Sequence, residues 1–359
     1  MNSPRAGRMM AGMDTKDDQH RPPAPRRSAS RGVTMEAVGR LAGVSQVTVS
    51  RALSDPAKVS PATMARIREA IELTGYVPNA LAGALASNRS KLVSALVPSI
   101  TNVVYSSMIQ AFAAGMRDSG YQIMLSETGF TPTEEEELVA AHLSRRPDAM
   151  LLTGIHHSAR TRRMLLGASI PVVEVWDITD SPIDLCVGFS HIETGRAVAD
   201  FAYEAGHRRA GVVSAGDERA RRRIDAFSER FTQRSGVAVG QALFPAQASL
   251  ECGRNGLSRL IDEQGLRDGL VFCSSDLLAH GVLIEAQARG LSVPGEIAVI
   301  GFGDQDFGAW TTPAITTVRV DRAAFGHAAA QALLHRFEGR TDGASVIDLG
   351  FEIVRRGSA

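Results

Sequence analysis

Two short stretches of this 359-residue chain carry side chains whose types and spacing could do chemistry. The first is Gln46-Val47-Thr48-Val49-Ser50-Arg51, in which Gln46, Thr48, Ser50 and Arg51 are short or forked hydrogen-bonding groups with few acidic neighbours. Presented outward on a short helix, such groups suit contact with nucleic acid. The second is Arg221-Arg222-Arg223. A guanidinium offers a planar fork that matches a carboxylate or a phosphate. Three consecutive residues cannot share one helix face, so at least one of them must point away. Other chemistry finds no support. Cys186, Cys252 and Cys273 are odd in number and lack CxxC or Cys/His ligand spacing, which excludes a disulfide framework and a structural zinc site and fits a reducing cytoplasm. His156 and His157 are adjacent and so diverge in direction; they read as structural or surface residues. Glu134–Glu137 reads as a solvated helix start favourable to the helix dipole. Gly301-Phe302-Gly303-Asp304 is not a phosphate loop, and no GxSxG elbow occurs. No metal, cofactor or catalytic site is expected, and the chain is not read as an enzyme.

The elements that must position the first stretch begin at Thr34, an N-cap before a helix with Ala37, Val38 and Leu41 on one face. Gly43 closes it, and Ser45 caps a second helix, Gln46 to Leu53, with Val49 and Leu53 inward. Two helices joined by such a glycine-containing turn form a helix-turn-helix. A third helix starts at Ser60-Pro61 and runs to about Leu73, with Met64, Ile67 and Ile71 inward, and Gly75 ends it.

Past Lys91 the pattern changes to alternation. Strands are expected at 92–97, 122–126, 149–152, 172–175, 210–214, 269–273, 298–301 and 351–354. Helices are expected at 105–119, 133–144, 193–205, 221–235, 276–289 and 322–337. Such alternation predicts parallel sheets wrapped by helices. About 265 residues exceed one core of this kind, so two similar lobes are expected. Ligands of such sheets bind beyond the carboxyl ends of the strands. Residues directly following the strands are therefore candidates: Ser99, Asn102, Tyr105, Glu127, Trp176, Asp177, Arg219, Arg221, Arg223, Ser274, Ser275, Asp276, Gly303 and Asp304.

Charge divides along the same boundary. The formal net charge is zero, yet residues 1–91 hold 14 Lys+Arg against 7 Asp+Glu, and residues 92–359 hold 25 against 32. A basic head on an acidic body points to a nucleic-acid-binding module at the N-terminus. Residues 1–31, rich in Arg, Pro and Ser and without an apolar core, read as a disordered tail and not as a secretory signal. No apolar run approaches the roughly 18–20 residues of a membrane-spanning helix.

The string Thr34-Met-Glu-Ala-Val-Gly-Arg-Leu-Ala-Gly-Val-Ser-Gln-Val-Thr-Val-Ser-Arg-Ala-Leu53, with Val59-Ser60 and Gly75-Tyr76-Val77-Pro78-Asn79, resembles the lactose-repressor (LacI/GalR) family of bacterial transcription regulators. The resemblance covers nearly the whole chain after the tail. It implies an all-α helix-turn-helix headpiece (32–77), a hinge helix and linker (78–91), and an α/β two-lobed domain of the periplasmic-binding-protein type 1 architecture (92–356). The lobes would comprise 92–190 with 320–345 and 191–319 with 346–356, with crossings near 190, 319 and 345. It also implies that Gln46, Val47 and Arg51 read base edges in the major groove. Arg51 would pair with guanine and Gln46 with adenine, while Val47, which departs from the polar residue often found there, would meet a thymine methyl. Thr34, Ser45, Thr48, Ser50, Ser60, Thr63, Tyr76 and Asn79 match phosphate-holding positions, which fix orientation and carry no sequence information. Asn79–Ala86 looks like the hinge helix, too short to be stable alone, with Leu85 as its minor-groove wedge.

In the body the resemblance places effector contacts at Asp177, Arg223, Ser275 and the position of Gly303, where many sugar-binding relatives carry an acid. An acid missing there, beside three arginines, favours an anionic effector. Val172–Asp177, Pro182–Ser190, Ser99–Asn102 and Gly120–Gln122 resemble the gluconate-operon repressor branch. The expected effector is therefore gluconate, a related sugar acid or its 6-phosphate. Its carboxylate would pair with Arg223 and its hydroxyls with Asp177, Ser275 and Asn102. Tyr105, Glu127, Trp176, Arg221 and Asp304 complete the expected cleft. The function so implied is a cytoplasmic, nucleoid-associated repressor of sugar-acid catabolism. It would act as a homodimer on a pseudo-palindromic double-stranded DNA operator, with no membrane partner. The competing readings are a sugar-binding receptor without a regulatory role and a regulator of a neutral sugar.

Overall fold

The computed structural model describes residues 32–78, 89–129, 132–216, 218–245 and 247–359. The expected tail, the hinge helix and the residues Asn79 and Leu85 lie outside the described residues.

The headpiece is three helices: α1 (Met35–Ala42), α2 (Gln46–Ser54) and α3 (Pro61–Thr74). Each begins at a hydroxyl that accepts a backbone N–H three residues on: Thr34 from Ala37 at 3.2 Å, Ser45 from Thr48 at 3.2 Å and Ser60 from Thr63 at 3.3 Å. Such caps satisfy one of the four orphan donors at a helix start. Gly43 takes φ 66°, the left-handed conformation that ends α1 and turns the chain into α2. Val38, Ala42, Val49, Ala52, Ile67, Ala70 and the ring of Tyr76 form the core. Leu41 and Leu53, expected inward, stand 55% and 38% exposed. Their chain neighbours Ala42 and Ala52 are buried in their place.

The body contains two six-stranded sheets. The first lobe holds β1 (Leu92–Val97), β2 (Gln122–Glu127), β3 (Ala149–Thr153), β4 (Val172–Val175), β5 (Leu185–Gly188) and β11 (Val346–Asp348), in the order β2-β1-β3-β4-β5-β11 and all parallel. Its helices are α4 (Val103–Arg117), α5 (Pro132–Leu143), α6 (Ala159–Ala168) and α11 (Arg322–Phe337). Along β1 the side chains alternate between faces, as the strand period of two requires. Val93, Ala95 and Val97 join Met108, Phe112 and Phe325 in one cluster, while Leu96 joins Val139 and Leu165 in another. The second lobe repeats the plan with β6 (Ala210–Ala215), β7 (Gly240–Phe244), β8 (Gly269–Cys273), β9 (Ile297–Phe302), β10 (Thr316–Arg319) and β12 (Glu352–Val354), in the order β7-β6-β8-β9-β10-β12. Only β12 runs antiparallel to its neighbour. Its helices are α7 (His191–Glu204), α8 (Glu218–Ser235), α9 (Leu250–Asp262) and α10 (Asp276–Ala288).

The chain passes between sheets after β5, after β10 and between β11 and β12. The third passage falls at 349–351 and not at 345, because Val346–Asp348 pairs in parallel with Cys186–Gly188 of the first sheet. The second lobe also extends past 356: Ser358 donates from its hydroxyl to the Val299 carbonyl at 2.6 Å and gives its own carbonyl to the Val299 N–H. Of the elements absent from the sequence reading, β5 and β10 are largely buried but only four residues long, while β7 and α6 have weak periodicity. On β7 only Ala242 is buried, and on α6 only Thr161 and Leu165. In α9, Gly253 and Gly256 lower helix propensity. Gly253 is there for packing: a Cβ would stand 2.3 Å from the Leu278 carbonyl oxygen of α10.

Candidate nucleic-acid interface and ligand cavity

Helix α2 buries Val49 and Ala52 and leaves Gln46, Val47, Ser50 and Arg51 exposed, Val47 at 66%. Among the described residues Arg51 makes no ion pair, whereas Arg40 and Lys58 lie near Glu36 and Asp55 at 3.8 Å and 2.8 Å. An unpaired guanidinium beside an amide and a valine, all facing solvent, is a surface prepared for a partner, since a protein gains little by keeping such groups there for its own stability. The expected phosphate-holding hydroxyls of Ser45 with Thr48 and Ser60 with Thr63 lie in touching pairs, 2.9 Å and 3.0 Å apart, at the starts of α2 and α3. The Tyr76 ring is built into the headpiece core, 8% exposed, which restricts it to contact through its rim.

In the body a cavity of about 410 Å³ opens beyond the carboxyl ends of β1, β6, β8 and β9. The first lobe contributes Ser99, Thr101 and Asn102, from the segment between β1 and α4, and Tyr105 from the first turn of α4. The second contributes Gly216, Arg223, Gln247, Ser274, Ser275, Phe302 and Gln305. Arg223 is 5% exposed. Its Nη2 donates to the Ser274 carbonyl at 3.1 Å, its Nη1 lies 2.9 Å from His191 Nδ1, and its guanidinium carbon sits 3.7 Å over the Phe302 ring. The cation is thus held in low dielectric against a ring face, where electrostatic contacts are stronger than in water. Asn102 accepts from the Val104 N–H at 3.0 Å, and Ser275 from the Leu278 N–H at 3.3 Å. These caps put the starts of α4 and α10 at the cavity wall, and their dipoles add partial positive charge. Beneath the floor, Asp276 is fully buried and accepts from Thr317 Oγ1 and the Gln305 N–H, each at 2.6 Å; burial pushes its carboxyl up to about 6.

The first turns of α8 also join the lobes. Arg219 Nη2 donates to the Tyr105 hydroxyl at 3.1 Å, Arg222 pairs with Asp177, and Glu218 lies 3.2 Å from His156 Nε2.

Comparison with known proteins agrees with this layout. A family profile described as "Bacterial regulatory proteins, lacI family" matches residues 34–79, and one described as "Periplasmic binding protein-like domain" matches residues 199–359. The chain is 35% identical over 327 residues to the HTH-type transcriptional regulator GntR of Pseudomonas aeruginosa, covering 90% of this chain and 95% of that one. It is 32% identical to the regulator of the same name from Escherichia coli K12, covering 88% and 95%. The crystal structure of a LacI-family transcriptional regulator from Silicibacter pomeroyi superposes with a TM-score of 0.85 at 32% identity, covering 91% of this chain and 99% of that one. The chain belongs to the lacI family of bacterial regulatory proteins. It is a DNA-binding transcriptional regulator with a helix-turn-helix domain and a periplasmic-binding-protein-like domain.

Of the regulator's expected effector contacts, Asn102, Tyr105, Arg223 and Ser275 line the cavity, and Glu127, Trp176, Asp177, Arg221 and Asp304 do not. Each of the five is occupied elsewhere. Glu127 accepts from the Ile100 N–H at 2.9 Å and braces the loop after β1. Trp176 is 3% exposed and packs its ring edge-on against Tyr105, Phe189 and Phe325. Asp177, expected to meet effector hydroxyls, is 1% exposed and engaged by Arg222. Arg221 faces solvent and chelates Asp225 one turn on, at 2.8 Å and 2.9 Å. Asp304 is held by Arg319 at 2.6 Å and Arg356 at 2.5 Å; although burial opposes it, these two cations keep its carboxyl below the usual range. It therefore does not replace the acid missing at Gly303. The strand-end rule finds the rim and cannot tell which side chains already have partners. Phe302 is the last residue of β9. The rule passed over His191, because the strand before it, β5, was not recognised in Pro182–Ser190.

His156 and His157 part company. His156 is solvent-facing, whereas the His157 side chain is 1% exposed, 2.8 Å from Glu135 and 3.4 Å from Glu174. Burial works against its charge, but the two glutamates outweigh it and raise its pKa to about 9.

Proposed function

We propose that this regulator is a cytoplasmic repressor of sugar-acid catabolism, binding a pseudo-palindromic operator as a homodimer and released by gluconate or its 6-phosphate. The observation that carries the effector class is Arg223: a buried guanidinium in the cavity wall, flanked by the starts of α4 and α10. A carboxylate or phosphate placed there gains charge-assisted hydrogen bonds, and Asn102, Ser275 and Gln305 are within the same lining for hydroxyls. The relatives named GntR and the stretches resembling the gluconate-operon branch support the same class. On the DNA side, Gln46, Val47 and Arg51 are assigned to base edges. Thr34, Ser45, Thr48, Ser50, Ser60 and Thr63 are assigned to phosphates, with Tyr76, Asn79 and Leu85 keeping the roles the family resemblance implies. Effector binding then acts only through its differential affinity for two lobe arrangements.

Calorimetry with gluconate, 6-phosphogluconate and lactose tests the effector class. Heat from a sugar acid, reduced on the order of 100-fold in affinity by Arg223→Ala, is the expected outcome. Heat from lactose and from neither acid would replace the anion reading with a neutral-sugar one.

A further inference from the structure

We propose that His191 is a positioning residue for effector binding: a single neutral tautomer of its ring aims the Arg223 guanidinium into the cavity and ties it to the opposite lobe. His191 is the first residue of α7 and is 2% exposed. Its Nε2 lies 2.8 Å from the Trp176 carbonyl oxygen, and its Nδ1 lies 2.9 Å from Arg223 Nη1. A carbonyl only accepts and a guanidinium only donates. Nε2 must therefore carry the proton and Nδ1 must present its lone pair. The opposite tautomer would set two donors against each other at Arg223 and leave two acceptors facing at Trp176. The imidazolium would satisfy Trp176 and repel Arg223.

Both partners show why the ring matters. Trp176 sits at the end of β4 with φ 72°, a left-handed conformation costly for a residue with a Cβ. Its N–H is bound by the Val187 carbonyl at 3.1 Å and its carbonyl by His191, so the ring helps over-determine that turn. Arg223 is fixed on one side by the Ser274 carbonyl and on one face by Phe302. The His191 bond adds a further direction, and Phe189, 4.5 Å from the ring centre, holds the imidazole edge-on. One ring thus couples the end of a first-lobe strand to a cation in the second-lobe wall.

The proposal rests on the reading of Arg223 as the anion contact, and two substitutions separate the two bonds. The Asn side chain reproduces the Nδ1 position and the Gln side chain the Nε2 position. With gluconate as the probe in calorimetry on the full chain, His191→Gln should weaken binding tenfold or more, and His191→Asn no more than threefold. Equal losses in the two variants, or none in His191→Gln while Arg223→Ala abolishes binding, would overturn the positioning role. No loss in Arg223→Ala would instead sink the anion reading. A measurement free of any effector decides the tautomer: histidine-selective ¹⁵N spectra at pH 7 should show His191 with a protonated Nε2 and a bare Nδ1. They should also show an Nδ1 shift in Arg223→Ala. A protonated Nδ1 overturns the proposal whether or not gluconate binds.

Discussion

The recognition face of the headpiece and the cavity of the body solve different problems with the same residue type. Arg51 stands on one exposed helix with Gln46, Val47 and Ser50 within five residues of it, and makes no ion pair among the described residues. Arg223 stands in a wall assembled out of five separated segments, buried and in contact with Ser274, His191 and Phe302. A surface reader can be altered without touching stability. A cavity residue is part of the packing, so changes around it should register in stability and binding together.

The largest effect should come where that coupling is strongest. Arg222→Ala leaves Asp177, 1% exposed, without its cross-lobe cation. Removing one partner of a buried pair costs on the order of 3 kcal/mol. Urea unfolding of the full chain should show it, together with weaker effector binding; an unchanged midpoint would place the pair among the ordinary surface contacts. Next in size, His157→Gln should change the pH profile and neither affinity. Folded His157 keeps its proton to about pH 9, whereas an ordinary histidine loses it near 6.5. Its contribution is complete below about 6.5 and is lost as pH rises through 9. The stability gap between wild type and variant should therefore narrow across that window by roughly 3 kcal/mol, read from unfolding curves at several pH values. A constant gap would mean the ring is neutral in the fold.

Arg51→Ala should lower operator affinity by roughly 10–100-fold in a gel shift, the cost of one lost bidentate base contact, with the unfolding midpoint unmoved. A fall in stability of comparable size would break the contrast drawn above. The smallest effect belongs to Arg221→Ala, whose partner Asp225 is one turn away on an exposed face. It should cost a few tenths of a kcal/mol and leave effector affinity alone. Three neighbouring arginines would then give three different phenotypes.

Legibility followed the same divide. Caps at Thr34, Ser45 and Ser60 and the glycine turn at Gly43 are local signals, and the helices begin and end at them. Which apolar residue faces in was less legible: Ala42 and Ala52 are buried where Leu41 and Leu53 were expected, because the exact rotation of each helix is set by its neighbours and by no local pattern. In the body eight strands were legible, the edge strands β2 and β12 among them; β5 and β10, largely buried but only four residues long, the half-buried β7 and β11 and the glycine-bearing α9 were not, since so short or half-buried a run establishes little period.

By itself the sequence determined the helix-turn-helix, the alternating two-lobed body, and the opposite charges of head and body. Each depends on periodicity, capping and composition, which are carried by neighbours in the chain. Only the tertiary structure decided that Arg222 serves Asp177 and Arg223 faces the cavity, while Arg221 pairs locally with Asp225. The helix period separates the three side chains, but the partners of Arg222 and Arg223 come from other elements up to 51 residues away. Packing alone brings those groups within hydrogen-bond reach.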